Sequence, residues 1–288
     1  MGAKVQIPGS TALITGAGSG IGQATALAMA KRGAKVLAVD INEAAAKATA
    51  EACQEIGVES VAFQCDVANR AAVVALAEQV HREHGTLQIL VNNAGVGMSG
   101  RFLDMSLDDW EWIRSINLDG VLHGCHAFVP AMLEQGRGHV INLSSGLAFL
   151  PQAMTPAYST TKAAVLMFSR SVRADWGTRG VGVTAICPGF IDTAIIERTR
   201  FFGDVDNPRA VALTKRGFSM GHPPELAATT IIKAIERNRA MAGVGWEARG
   251  GFQLTRILPS PVVTLAARPL PDFVGRILNR SRQKAIAP

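Results

Sequence analysis

The sequence predicts an α/β fold in which helices cover both faces of a parallel β-sheet. Short apolar runs with many branched side chains alternate with longer amphipathic segments from near the N-terminus to about residue 245. A glycine-rich stretch at 15–22 follows the first apolar run and leads directly into the first amphipathic segment. This alternation predicts successive strand–helix units in one doubly wound sheet.

The strands and helices can be placed along the chain from these two patterns. The apolar runs predict strands at 11–15, 35–40, 60–64, 88–92, 139–143 and 181–186, with 240–244 as a seventh strand. The amphipathic segments predict helices at about 20–32, 42–56, 70–84, 107–133, 157–176 and 224–237. Because the pattern does not repeat and no linker interrupts it, we expect a single domain over residues 1–245.

Residues 246–288 form a C-terminal extension of different composition. They contain seven Arg or Lys and two Asp or Glu, and so carry most of the chain's net charge of +6. Prolines divide the extension into short pieces, which include two apolar clusters at 252–258 and 273–278. We favour packing of these clusters on the domain or on a partner subunit. Contact with an anionic membrane surface is the alternative.

Composition argues against several classes of protein. Outside the extension the chain is nearly neutral and has no basic stripe with stacking aromatics, so we expect no nucleic-acid binding. The four cysteines are widely spaced, which indicates reduced thiols rather than a disulfide framework. No cluster of Cys or carboxylates accompanies the histidine pairs, so we expect no metal site. The N-terminus lacks a signal-peptide pattern and no apolar stretch is long enough to span a bilayer, so we expect a cytoplasmic location.

The glycine-rich stretch predicts a phosphate-binding turn. It has the spacing G-x-x-x-G-x-G and contributes Gly16, Gly18, Ser19, Gly20, Ile21 and Gly22. Small residues between a strand and a helix let backbone N–H groups and the helix N-terminus approach a pyrophosphate. We therefore expect a dinucleotide at this turn.

Asp40 ends the second predicted strand, where a carboxylate can accept hydrogen bonds from ribose hydroxyls and repel a 2′-phosphate. Ile41 follows it, and no Arg or Lys is nearby to bind such a phosphate. This pattern favours NAD over NADP. The alternative is that Asp40 caps the helix that starts near Asn42.

Two further polar segments follow the third and fourth predicted strands. Asp66-Val67 could meet an adenine ring, and Asn93-Ala94-Gly95 would lie at the same edge of the sheet. Open α/β sheets bind ligands at the carboxyl ends of their strands. Each segment could also be an ordinary Asx turn.

Tyr158, the only tyrosine in the chain, lies four residues before Lys162. On a helix this spacing places both side chains on one face. A nearby ammonium favours the phenolate, so we expect a lowered pKa and a phenol that can exchange a proton. The alternative is an unrelated surface pair.

These residues belong to an ordered set of motifs. The set comprises T-G-x-x-x-G-I-G, D-V, N-N-A-G, Asn117, Ser144-Ser145, Y-x-x-x-K and Pro188-Gly189. Its order and spacing over residues 8–245 resemble the short-chain dehydrogenase/reductase family. The resemblance implies a Rossmann-like seven-stranded sheet, a nicotinamide cofactor, and a homodimer or homotetramer.

The resemblance also implies roles for individual residues. Tyr158 would be the acid/base, and Lys162 would hold the nicotinamide ribose and lower the tyrosine pKa. Asn117 would organise a water that links Lys162 to solvent. Ser145, thirteen residues before the tyrosine, would donate to the substrate oxygen, with Ser144 in support. After Pro188 and Gly189, the backbone near Ile191 and the hydroxyl of Thr193 would contact the nicotinamide carboxamide.

The function predicted from these features is an NAD-dependent oxidoreductase that interconverts an alcohol and a ketone or aldehyde. Apolar side chains at 190–220 and 147–154 predict a pocket for a hydrophobic alcohol. One alternative is an NADPH-dependent carbonyl or 3-oxoacyl reductase, against which Asp40 argues. Another is a non-catalytic NAD-binding scaffold held at a membrane by the extension.

Overall fold

A computed structural model describes residues 5–150, 152–259 and 261–263. Its strands are β1 Thr11–Thr15, β2 Lys35–Asp40, β3 Ser60–Gln64, β4 Ile89–Asn92, β5 Gly97–Ser99, β6 Gly138–Leu143, β7 Val181–Pro188, β8 Thr199–Phe201 and β9 Met241–Val244. Its α-helices are α1 Gly20–Ala30, α2 Glu43–Glu55, α3 Arg70–His84, α4 Leu107–Arg114, α5 Gly120–Glu134, α6 Pro156–Trp176, α7 Pro208–Ser219, α8 Pro224–Glu236 and α9 Trp246–Ile257.

Seven strands form one parallel sheet in the order β3-β2-β1-β4-β6-β7-β9. The chain builds outward from β1 to β3 and then returns to place β4 on the other side of β1. This reversal leaves a crevice above the carboxyl ends of β1 and β4, which is where sheets of this kind bind ligands. The predicted Rossmann-like, doubly wound seven-stranded sheet is confirmed.

The core consists of two apolar layers, one on each face of the sheet. Alternate residues of a strand point to opposite faces. Accordingly, Ile14 packs in the layer that includes Met29 of α1 and Ile231 of α8. Leu13 packs in the other layer, with Phe128 of α5 and Val165 of α6. Both faces of the sheet are therefore covered, and its polar functional residues are confined to the strand ends.

The predicted helix at 107–133 is not continuous. A π-helical turn at Ser115–Asp119 separates α4 from α5. The i→i+5 hydrogen bonds of such a turn are a local departure from α-helical geometry, and the apolar periodicity of so short a segment does not specify it.

Four further elements were not among the predictions. β5 and β8 pair in parallel as a separate two-stranded sheet, and α7 lies between β8 and α8. The fourth, α9, begins directly after β9, and its Ala248 and Gly251 are buried. The apolar residues at 252–258 are on or next to this helix, whereas the second predicted cluster, at 273–278, lies outside the described residues. In the part of the chain that the structure describes, no helix has the length and apolar character needed to cross a bilayer.

Candidate active site

A cavity of about 550 Å³ lies at the carboxyl ends of the strands. It is lined by every residue predicted to bind cofactor or to act in catalysis except Gly18, Gly22 and Asn117. Gly18 and Gly22 belong to the same turn as the lining residues Gly16 and Gly20, and Asn117 hydrogen-bonds to the lining residue Val96. The structure therefore brings the motifs, which are dispersed over much of the chain, to one place.

The glycine-rich turn presents an uncapped helix end to this cavity. α1 begins at Gly20, and the side chain of its N-cap, Ser19, makes no capping hydrogen bond. The first turn of α1 also contains no acidic residue. Free N–H groups at a positive helix end favour an anion such as a pyrophosphate.

Gly22 allows this turn to pack closely against the end of β4. A Cβ at residue 22 would lie 2.1 Å from the carbonyl oxygen of Gly16 and 2.5 Å from Nδ2 of Asn93. The Asn93 amide itself donates to the carbonyl oxygens of Thr15 and Gly16, at 2.9 and 3.1 Å. Asn93 thus holds the turn after β1 against the segment after β4.

The Asp40 carboxylate is almost fully buried, with 2% of the residue exposed. Its oxygens accept hydrogen bonds from the backbone N–H groups of Gly18, at 2.9 Å, and Asn42, at 3.0 Å. The alternative role of Asp40 as a helix cap is wrong, because Asn42 caps α2 by accepting from the amide of Ala45. Asp40 instead joins the end of β2 to the glycine-rich turn and lines the cavity beside it.

Asp66 and Val67 also line the cavity. Asp66 is exposed, and its Oδ1 accepts from the amide of Ala68 at 2.9 Å. The Asx-turn alternative is therefore observed, and it leaves the second carboxylate oxygen outside that turn.

Asn117 is buried within the π-helical turn. Its Oδ1 accepts from the amide of Val96 at 2.8 Å, and its Nδ2 donates to the carbonyl oxygen of Val96 at 3.0 Å. A weaker contact of 3.4 Å joins Nδ2 to the hydroxyl of Thr161 on α6. Asn117 therefore holds Val96, between Gly95 and β5, next to the helix that carries Tyr158 and Lys162.

Ser145, Tyr158 and Lys162 converge where β6 ends and α6 begins. The Ser145 hydroxyl lies near the Tyr158 phenol and favours its ionised form. Lys162 Nζ lies 5.8 Å from the centre of the Tyr158 ring and donates to the carbonyl oxygen of Leu143 at 2.9 Å. Ser144 supports the arrangement because its hydroxyl donates to the carbonyl oxygen of Lys162 at 2.8 Å.

The electrostatics of this cluster differ from the sequence prediction. Burial raises the pKa of Tyr158, and the Ser145 hydroxyl only partly offsets this effect. The predicted lowering of the Tyr158 pKa is therefore wrong for the protein without ligand. Burial also lowers the pKa of Lys162 to about 8. Burial therefore makes the charged form of either group less stable than it would be in water.

The segment after β7 closes one side of the cavity. Pro188, Gly189, Ile191 and Thr193 all line it. The amide of Gly189 donates to the carbonyl oxygen of Val244 at 2.9 Å, which ties this segment to β9. Within this segment the Ile191 side chain is buried, and it forms part of the cavity wall.

Several cavity residues were missed by the sequence reasoning. Trp112 and Ile116 come from α4 and the π-helical turn, and Arg200 comes from β8. The Arg200 guanidinium stacks on Trp112, 3.7 Å from the ring centre, and donates to Asp109 at 3.1 Å. No local motif marks this contact, since its partners are far apart in the chain.

All four cysteines are buried free thiols, in agreement with the sequence prediction. Among the residues that the structure describes, no group of three or more His, Cys, Asp or Glu is placed to hold a metal ion.

Comparison with known proteins gives a consistent picture. The family described as short chain dehydrogenase matches residues 10–201. The chain is 39% identical over 260 residues to a probable oxidoreductase, EphD, of Mycobacterium tuberculosis, covering 88% of this chain and 44% of that protein. It therefore spans less than half the length of that relative.

Two other similar proteins match over nearly their whole length. A D-threitol dehydrogenase of Mycolicibacterium smegmatis is 36% identical over 254 residues, covering 86% of this chain and 95% of that protein. A crystal structure of a short chain dehydrogenase/reductase from Burkholderia phymatum in complex with NAD superposes with a TM-score of 0.78 and 29% identity, covering 88% and 94% of the two chains.

Proposed function

Because the chain belongs to the short-chain dehydrogenase/reductase family and is an oxidoreductase of that family, we propose that it uses NAD to interconvert a hydrophobic secondary alcohol and its ketone, or a related aldehyde. One observation carries the proposal. Ser145, Tyr158 and Lys162 meet in the same cavity as the uncapped end of α1.

The residues around the cavity fit a nicotinamide dinucleotide. The free N–H groups at the start of α1 suit its pyrophosphate, and Asp40 suits the adenosine ribose. We assign the adenine side to Ile41, Asp66 and Val67, and the central part to Asn93, Ala94 and Gly95. Ile191 and Thr193 would hold the carboxamide. When bound, the nicotinamide supplies the acceptor or donor of hydride.

Side chains of the protein would transfer the proton and stabilise the charge that develops on the substrate oxygen. Tyr158 would donate a proton to a ketone oxygen, or as phenolate accept one from an alcohol. Its raised pKa suits the donor role directly. Ser145 would donate a hydrogen bond to the same substrate oxygen. The Lys162 pKa of about 8 keeps its ammonium largely charged near neutral pH, where it would favour the phenolate and hold the ribose.

Asn117 would not contact the substrate and would act through the groups around it. Its side chain is engaged with Val96 and Thr161. The π-helical turn around it widens the backbone hydrogen-bond pattern. We assign to this turn the water that would connect Lys162 to solvent.

The substrate side of the cavity supports a hydrophobic alcohol. Its apolar lining includes Val96, Trp112, Ile116, Ile195 and Phe218. Only the last two were among the apolar residues expected at 190–220. Phe190 and Met220 are instead exposed at the surface, by 52% and 76%.

A cytoplasmic homodimer or homotetramer completes the proposal. Family membership supports the oligomer, and the four buried free thiols are consistent with a reducing compartment.

A panel of alcohols tests the proposed function. The purified protein would be incubated with NAD, and separately with NADP, and absorbance of the reduced nucleotide would be followed. The panel would contain hydrophobic secondary alcohols and, because of the relative named above, D-threitol. We expect reduction of NAD with at least one hydrophobic alcohol at a higher kcat/KM than with D-threitol. Absence of turnover with every alcohol, and with the matching ketones and NADH, would refute the proposal.

A further inference from the structure

We propose that Glu247, in the C-terminal extension, is a positioning residue that fixes the backbone of the 189–193 loop against the cavity. The inference rests on the proposed function only for the loop's role in holding the nicotinamide. The contacts themselves are independent of it.

Glu247 is the second residue of α9, and its side chain turns back toward the end of β7. Its Oε1 accepts a hydrogen bond from the amide of Phe190 at 2.9 Å. Its Oε2 lies 3.1 Å from Nε2 of His222. The side chain is only 19% exposed. A largely buried carboxylate that satisfies a loop amide is costly to remove, because that amide then loses its acceptor.

His222 extends the same connection along the loop. Its amide donates to the carbonyl oxygen of Phe190 at 2.8 Å, and its carbonyl oxygen accepts from the amide of Asp192 at 2.9 Å. Ile191 lies between these two anchored residues and lines the cavity, and Thr193 follows. The backbone on both sides of Ile191 is therefore held by a unit made of Glu247 and His222.

Gly189 provides the space for the carboxylate. A Cβ at residue 189 would lie 2.1 Å from Oε1 of Glu247. Any other residue type at position 189 would therefore clash with the Glu247 carboxylate in its observed position. This steric fit gives the glycine a second reason to be present, beyond the turn itself.

The ionised state of Glu247 agrees with this geometry. Burial by itself would raise the pKa of the carboxyl, but hydrogen bonds from its own amide, the Phe190 amide and His222 outweigh burial and lower the pKa below its ordinary value. The carboxylate is consequently available as an acceptor at neutral pH.

Glu247 could also stabilise only its own helix, α9, and the test has to separate that effect from the contact with the loop. An acidic residue in the first turn of a helix stabilises that helix through its dipole. Glu225 is the second residue of α8, as Glu247 is of α9, and it is exposed. It is therefore a matched control that shares the helix position without the loop contact.

The test compares Glu247→Ala, Glu247→Gln and Glu225→Ala in the full chain without nucleotide. Hydrogen exchange of the peptide that spans 188–195 would be measured by mass spectrometry, with the β1 peptide as an internal reference. We expect Glu247→Ala to accelerate exchange in 188–195 by about tenfold or more. Glu247→Gln keeps an acceptor for Phe190 and should retain most of the protection. Glu225→Ala should leave the loop unchanged.

Binding of NAD gives the second measurement. We expect Glu247→Ala to weaken the affinity by about tenfold, because ordering the loop would then have to accompany binding, and Glu247→Gln to restore most of it. Exchange in 188–195 that is unchanged, or that rises only in proportion to the β1 peptide, would overturn the inference. If exchange changes as expected but wild type binds no NAD, the positioning role stands and the proposed function fails.

Discussion

Replacement of Asp40 should change the choice between NAD and NADP, and two variants can separate charge from structure. In wild type the carboxylate accepts from the amides of Gly18 and Asn42. Asp40→Asn keeps one acceptor oxygen and removes the charge. Asp40→Ala removes both acceptors and leaves two backbone N–H groups without a partner. Adding Ile41→Arg at a position that is 58% exposed supplies a cation without disturbing the core.

The expected magnitudes follow from these contacts. Two like charges about 4 Å apart near a protein surface repel by about 4 kcal/mol, which corresponds to roughly 10³-fold in affinity. Asp40→Asn should therefore improve the NADP-to-NAD affinity ratio by at least about tenfold and at most about a thousandfold. An arginine at 41 that pairs with the 2′-phosphate should add about 1.5–3 kcal/mol. Asp40→Ala should also lower the free energy of unfolding, by about 1–3 kcal/mol for each amide left unpaired.

Dissociation constants for NADH and NADPH, measured by fluorescence, and urea unfolding check both parts of this prediction. If wild type already prefers NADPH, the interpretation of Asp40 is wrong. A ratio that stays constant in Asp40→Asn with Ile41→Arg would likewise show that Asp40 does not face the 2′ position.

Lys162→Ala should weaken NAD binding and lower kcat together, because the ribose contact and the charge beside the phenol are both lost. A change confined to the KM for the alcohol would contradict this. His139 is buried, and burial, with a smaller effect of the Arg173 charge, lowers its pKa to about 3. Since the unfolded state binds this proton near pH 6.5, the stabilisation is complete above pH 6.5 and is lost as pH falls toward 3, at up to about 1.4 kcal/mol per pH unit. Urea unfolding would be measured at several pH values between 7 and 4.5. The free energy of unfolding should fall less steeply with falling pH for His139→Gln than for wild type. The exposed control His126→Asn should show the wild-type dependence on pH. Deletion from Phe252 onward removes the ring contact with Phe149, whose centre lies 5.3 Å away, but leaves β9 in place. We expect the nucleotide fold to persist with an altered oligomeric state, substrate access or solubility, and unchanged solution mass, kinetics and stability would refute a role for this part of the extension.

The sheet could be predicted because most of its strands are apolar runs buried on both faces. The bounds of β1, β2 and β3 match the predictions residue for residue, since each is a short apolar run between polar turns. β5 and β8 have three residues each and pair Gly97 with Thr199 across about a hundred positions. No periodicity develops over so short a strand, and its partner is set by the tertiary fold.

Sequence motifs could suggest which residues come together at one edge of the sheet, but not the electrostatics of the cluster that they form. Sequence spacing places Tyr158 and Lys162 on one helix face, and the structure places them in one cavity. Spacing alone does not report how far the Tyr158 phenol is removed from solvent, and this desolvation reverses the expected direction of its pKa.

The sequence also did not predict contacts between segments that are far apart in the chain. The sequence did not single out Glu247, and its hydrogen bond to Phe190 joins residues that are 57 positions apart. Asn42 and Asp40 show the same limit at short range. Both are good capping residues, and only the structure shows that Asn42 is the one that caps α2.

The most direct test of the account is Tyr158→Phe, assayed with the best alcohol from the panel. The substitution removes one hydroxyl from a partly buried ring and leaves the glycine-rich turn and Asp40 intact. We predict that kcat falls by about 10²-fold or more, while the dissociation constant for NAD changes by less than about threefold. Turnover within a few-fold of wild type would contradict the assignment of Tyr158 as the proton-transferring group.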